Sequence, residues 1–220
     1  MNPTAPFRAA SGLELVLGAS IVIGHNVLHV VPNEVPILCV LGLLSFRLRN
    51  GGVCAAMGLV RPASWKRTIL IAAAAAALRI LVGDFVIDPL TRRFWPPIVA
   101  PEGAEAITGN VGMALLALLI VWTFAAFGEE IAYRGYLLAR AADLGGGSAL
   151  AQWGGMVLVS ILFGYGHYYK GPAGILDSGV AGLILGAAYL LSGRNLWASI
   201  LAHGFIDTVG VTLAYFGLDT

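Results

Sequence analysis

Apolar residues in this chain fall in long runs, and the few polar positions between them mark the joints. Measured against the ~20 residues that an α-helix needs to cross a bilayer, the runs read as membrane spans. Leu13 to Val31 is the first, interrupted by His25, Asn26 and His29. Val35 to Leu48 is apolar but short, so it is either a tilted span or a re-entrant piece. Thr68 to Ile87 carries a run of alanines and one interior charge, Arg79. Val111 to Phe127 continues as a helical pattern to Ala142, and Leu150–Gly166, Gly179–Leu191 and Leu196–Phe216 follow. The pattern predicts an all-α fold, a polytopic transmembrane helical bundle of about seven spans, six at the fewest and eight at the most.

Composition makes the same point from another side. Of the residues, 58% are hydrophobic and 11% charged, with a mean hydropathy of +0.84, whereas a soluble domain carries about 25% charge. The chain reads as one integrated membrane domain, with amino-terminal helices and an external loop over 1–108 and a helical core over 109–220. A net charge of +1 argues against nucleic acid as a partner and leaves the lipid bilayer. Cys39 and Cys54 lack C-x-x-C spacing and are expected to be reduced packing residues. The first apolar segment is long, contains polar residues and has no clear small-residue cleavage site, so no cleavable signal peptide is expected. The Pro-rich and acidic stretch from Asp88 to Gly109 reads as an external loop, with Phe94 and Trp95 at the interface.

Orientation follows from Arg and Lys in short loops. One set of alternate loops carries Arg8, Arg47, Arg49, Arg61, Lys66, Arg67, Arg140 and Arg194, and the other carries Arg92, Arg93 and Lys170. This bias places the amino terminus in the cytoplasm. The short chain and its arginine-biased composition favour a prokaryotic cytoplasmic membrane.

Ionisable residues at bilayer depth cost about 2.5–3.5 kcal/mol each on an insertion scale and are functional candidates for that reason. Glu129, Glu130 and Arg134 share one helix, Phe163 and His167 end the next, and His203 and Asp207 lie in the last. His25 and His29 are expected on one face of the first helix, making helix–helix hydrogen bonds. Glu130 and Arg134 are four apart, as are His203 and Asp207, so each pair meets along a helical face. Gly145-Gly146-Gly147-Ser148 is a turn signal that makes an antiparallel hairpin. Glu129 and His167 both lie 19 residues from position 148, which predicts equal depth.

Depth poses a difficulty for His203. At ~1.5 Å per residue Glu129 is roughly 28 Å from the hairpin tip, and His203 about 12 Å from the turn at Gly193. The two meet if the Arg140 tip protrudes ~15 Å into the cytoplasm. On that reading Tyr168 to Asp177 is a buried or re-entrant connection lining a cavity. Gly182-x-x-x-Gly186 permits close helix packing. Taken singly, these residues have structural readings as well: a Glu–Arg pair can be a bridge, and a helix-end His an interface residue.

The three polar motifs together resemble the CAAX protease and bacteriocin-processing family, also called the Abi family, of intramembrane endopeptidases, which includes type II CAAX prenyl endopeptidases. That family carries E-E-x-x-x-R, F-x-x-x-H and H-x-x-x-(N/D) on successive helices. Here they stand as Glu129-Glu130…Arg134, Phe163…His167 and His203…Asp207, in a resemblance that covers roughly Gly109 to Phe216. It implies that 109–220 is the catalytic core and that a peptide bond of a membrane-associated substrate is hydrolysed. In the implied site Glu129 is the general base, His167 helps to orient and deprotonate the water, and His203 with Asp207 stabilises the oxyanion. Arg134 neutralises and holds Glu130. No H-E-x-x-H is present. A metal-free mechanism is preferred, and a divalent metal such as zinc on Glu129, His167 and His203 stays open. The rival readings are an inactive scaffold of the same family, a proton-coupled transporter, for which no repeated half is found, and a haem carrier, for which His25 and His29 are badly spaced.

Overall fold

The computed structural model of the chain describes residues 5–49, 52–96 and 104–218. These residues form an all-α membrane bundle. Its elements are α1 (Ala5–Asn26), α2 (Glu34–Leu48), the short α3 (Val53–Met57), α4 (Trp65–Thr91), α5 (Val111–Leu144), α6 (Ala149–Tyr165), α7 (Gly171–Leu191) and α8 (Leu196–Tyr215). Five stretches are long and apolar enough to cross a bilayer: Phe7–Asn26, Trp65–Thr91, Val111–Leu144, Tyr168–Leu191 and Leu196–Tyr215. The shorter α6 is apolar as well, and α2, with 15 residues, packs along α5.

Helix α5 organises the rest. Its first turns, Val111–Ile120, bury no residue, whereas Ala132 to Ala142 are continuously buried between α1, α2, α6 and α8. The core joins Leu15, Val22, Leu38 and Phe46 of the first two helices to Tyr133, Tyr136 and Leu137 of α5 and to Phe163, Tyr189 and Ile200 beyond it. Glycines let the later helices approach. A Cβ on Gly164 would lie 2.5 Å from the carbonyl oxygen of Ile175, and one on Gly182 would lie 3.1 Å from Ser160 Cα, so α6 and α7 cross almost backbone to backbone.

Between Val121 and Leu137 α5 winds as a π-helix. A π turn takes in more residues than an α turn, and such segments are frequent at functional sites. In α winding a residue five positions on stands about 140° round the axis. The i→i+5 winding turns it back towards the same side, so Glu129 also lies on the side of Arg134, which pairs with Glu130 alone.

Several expectations change. Helix α7 begins at Gly171 rather than Gly179, because Pro172 at its start presets a helical φ, so the link from α6 is short and the stretch up to Asp177 is mostly helix. Helix α1 stops at Asn26, and His29 lies beyond it with φ 55°, exposed and on no face shared with His25. The hairpin tip is packed against α1 and α2. Arg140, read from sequence as a loop residue, is buried with its guanidinium 4.4 Å above the Phe46 ring, and Ser11 Oγ donates to Asp143 Oδ2 at 2.9 Å. Arg79 pairs with Asp177 of α7 at 2.6 Å. Cys39 and Cys54 are free. Helix α4 occupies the start of the expected external loop, with Phe94 and Trp95 exposed just past it and their rings 5.9 Å apart; residues 97–103 lie outside the described residues.

Candidate active site

Two of the three polar motifs close into one hydrogen-bonded chain. Arg134 Nη1 donates to Glu130 Oε1 at 2.7 Å, and both side chains are all but fully buried. Arg134 Nη2 donates to the carbonyl of Gly182 at 3.0 Å, so α7 also holds the guanidinium. His203 Nδ1 meets the same Glu130 oxygen at 3.0 Å, and its Nε2 lies 3.6 Å from Asp207 Oδ2. Glu130 thus receives one partner from its own helix and one from α8, as a buried carboxylate must to remain charged in an apolar setting. His203 has a carboxylate oxygen at each ring nitrogen. A neutral imidazole has one N–H, so this geometry is met by one further proton, on the ring or on a neighbouring carboxyl.

The third motif joins through an aromatic ring. The Phe163 ring has the Arg134 guanidinium carbon 4.5 Å from its centroid, and the rings of His167, Tyr133 and His203 at 4.8, 5.0 and 6.1 Å. His167 Nδ1 pairs with the Phe163 carbonyl oxygen at 2.9 Å. Because a carbonyl only accepts, Nδ1 carries the proton, and in the neutral ring Nε2 is left with a lone pair. His167 stands just past the end of α6 and is half-buried.

Glu129 differs from its neighbour. It is half-buried where Glu130 is fully buried. The Oε2 of each is enclosed without a hydrogen-bond partner among the described residues, but only Glu130 is held through its other oxygen. The charges that act on it are those of His203, Asp207, Glu130 and Arg134, which sets it beside the closed network without belonging to it. No hydrogen bond joins Glu129 to His167 among the described residues; the two flank the network rather than pair.

Sequence reasoning missed one polar group here. Glu34, at the start of α2, is buried, with His25 Nε2 at 3.3 Å from its Oε2 and His25 Nδ1 bonded to Val31 O at 3.0 Å. A Cβ on Gly166 would lie 2.8 Å from the Tyr133 hydroxyl and 3.7 Å from Glu34 Oε1, so Glu34 and Tyr133 both border the backbone that leads into His167. Gly128 is the matching point on α5. A Cβ there would lie 3.0 Å from Val35 Cγ1, and Cys39 Sγ lies 3.5 Å from its carbonyl. The signal available in the sequence was an acidic residue at the start of an apolar run, directly after the polar end of α1.

The donor set suits a zinc ion poorly. A catalytic zinc takes lone pairs from three protein ligands, yet both nitrogens of His203 are directed at carboxylates. Among the described residues no three of His, Cys, Asp and Glu are grouped so that they could hold a metal.

A family model described as "Type II CAAX prenyl endopeptidase Rce1-like" matches residues 111–209, a little under half of the chain. No curated protein and no solved structure matches the chain. The matched stretch opens with the first residue of α5 and takes in Glu129, Glu130, Arg134, His167, His203 and Asp207, but neither Glu34 nor Arg79. Over residues 111–209 the chain is therefore similar to the Rce1-like, type II CAAX prenyl endopeptidase family.

Proposed function

We propose that the protein is an intramembrane endopeptidase that hydrolyses a peptide bond of a membrane-associated protein or peptide with a water activated by Glu129 and His167. The observation that carries this reading is Glu129, whose buried Oε2 has no partner among the described residues, beside a network in which Glu130 Oε1 is held by Arg134 and His203 and Asp207 Oδ2 faces His203. Glu130 Oε2 is unpaired as well, but its carboxylate is already fixed through Oε1. Hydrolysis needs a base for the water, a donor for the developing oxyanion, and a proton for the leaving amine. Glu129 takes a proton from the water as the water oxygen bonds the carbonyl carbon, and returns that proton to the leaving amine when the C–N bond breaks. The Nε2 lone pair of His167 orients the water. His203 donates to the oxyanion from Nε2, where its contact to Asp207 is long enough at 3.6 Å to be exchanged for a stronger acceptor. Glu130 and Arg134 touch no substrate in this reading. They fix the His203 ring through Nδ1 and keep the charge of the site balanced.

The mechanism is metal-free. It is supported by the placing of the side chains: among the described residues no three of His, Cys, Asp and Glu are grouped so that they could hold a metal. The end of the bundle that carries Arg8, Arg61, Lys66 and Arg67 faces the cytoplasm of a prokaryotic cell, by the excess of basic residues there.

Peptide profiles of membranes containing the intact protein, Glu129→Gln or His167→Ala test the proposal. A positioned general base contributes about 10²- to 10⁴-fold, so one set of products should vanish in both variants while each remains stably inserted. Identical profiles from all three would leave a catalytically silent scaffold.

A further inference from the structure

The face formed by the start of α4 and the turn between α7 and α8 is chemically unlike the rest of the surface. Arg61, Lys66 and Arg67 lie there, and no acidic residue occurs between Val35 and Gly83 or between Ser178 and Ile206. The cations on this face therefore have no counter-charge from the segments that build it. A surplus of basic residues at one membrane face is ordinary; here it adjoins a shallow groove along α4. Lys66, Arg67, Leu70, Ile71 and Ala74 line a groove of about 390 Å³. It shares Ser64, Arg67 and Ile71 with a second hollow of about 120 Å³ that reaches Ser192 and Asn195. Along α4 the lining changes from charged to wholly apolar within two turns, about 10–12 Å at 1.5 Å per residue. Trp65 stands at the rim, its ring 5.8 Å from that of Trp197, as amphipathic rings do at headgroup level.

We propose that this groove is a binding site for one anionic glycerophospholipid, with the phosphate at Lys66 and Arg67 and an acyl chain laid along Leu70, Ile71 and Ala74. Charge complementarity selects the headgroup, and the apolar floor selects a lipid over a soluble anion. Basic residues at the membrane surface attract anionic headgroups by the same balance. The site lies outside the Rce1-like match except for the α7–α8 turn, and it does not depend on the chain being a protease.

Native mass spectrometry of the full chain in neutral detergent, with dioleoyl phosphatidylglycerol or dioleoyl phosphatidylcholine added, provides the test. The phosphatidylglycerol adduct should dominate. It should weaken about tenfold or more in the Lys66→Ala/Arg67→Ala double variant, and also in Ala74→Trp, which fills the groove without touching a charge. An Arg92→Ala/Arg93→Ala variant at the opposite end should leave it unchanged. Equal adducts of the two lipids, equal loss in the Arg92/Arg93 variant, or full binding in Ala74→Trp would each overturn the proposal. So would displacement of the lipid by millimolar inorganic phosphate, which would make this an anion site only.

Discussion

Removing the Arg134 guanidinium would leave Glu130 buried with only His203 as a partner and take from the Gly182 carbonyl its side-chain donor. Breaking a buried pair on one side costs about 3–5 kcal/mol, so Arg134→Ala should unfold at a clearly lower temperature in detergent micelles. Glu129→Gln should melt as the intact protein does, because Glu129 Oε2 holds nothing. Equal melting of all three proteins would argue against a supporting role for the Glu130–Arg134 pair. Both four-residue spacings were legible in the sequence, since partners on one helix are set by its period alone. His25–Glu34 was not, because the two residues face each other across a chain reversal that no period describes. Arg140 misled for the opposite reason. Its place near a glycine-rich turn suggested exposure, and only the packing of α2 against α5 buries it.

At the level of elements, the apolar runs located every long helix, because length and hydropathy suffice for that. They could not report winding. The π segment of α5 places Glu129 and Glu130 both on the side of Arg134, and nothing in its hydropathy departs from an ordinary span. Nor did the runs set the start of α7, where Gly171 and Pro172 begin a helix inside what looked like a loop. The crossing of α6 and α7 offers a sharp test. Gly164→Ala puts a methyl group against the Ile175 carbonyl oxygen, which is backbone and cannot step aside. Overpacking of this kind costs about 1–3 kcal/mol and should lower the melting temperature. Gly154→Ala, with nothing near its Cβ, should be silent in the same assay. Two silent variants would show that the helices are less tightly joined than described.

For the whole molecule, the Rce1-like match stops well short of what folds together. The core takes Leu15, Ile21, Val22, Leu38, Phe46 and Met57 from outside it. A fragment of residues 109–220 should therefore insert but fail to give a cooperative melting transition, and co-expression with residues 1–108 should restore one. A cooperative transition in the fragment alone would separate the two parts energetically. The sequence, read through hydropathy and motif spacing, treated the first hundred residues as apolar spans only, since their bonds to the rest are long-range. Ser11 and Arg49 both reach Asp143, and Arg49 also reaches Glu14.

These bonds have a mechanical corollary. The α1–α2 hairpin is riveted to α5 at one end, where Ser11 and Arg49 meet Asp143, while at the other His25 and Glu34 close the hairpin on itself beside Gly166. A part riveted to its neighbour in this way is a poor door, so under the proposed function a peptide enters through some other seam of the bundle. With Cys39 and Cys54 replaced by Ser, bridging Ser11→Cys to Asp143→Cys with a short bifunctional thiol reagent should leave turnover of the substrate as fast as in the unbridged double variant. If welding that joint stalls the enzyme, the hairpin is the door after all.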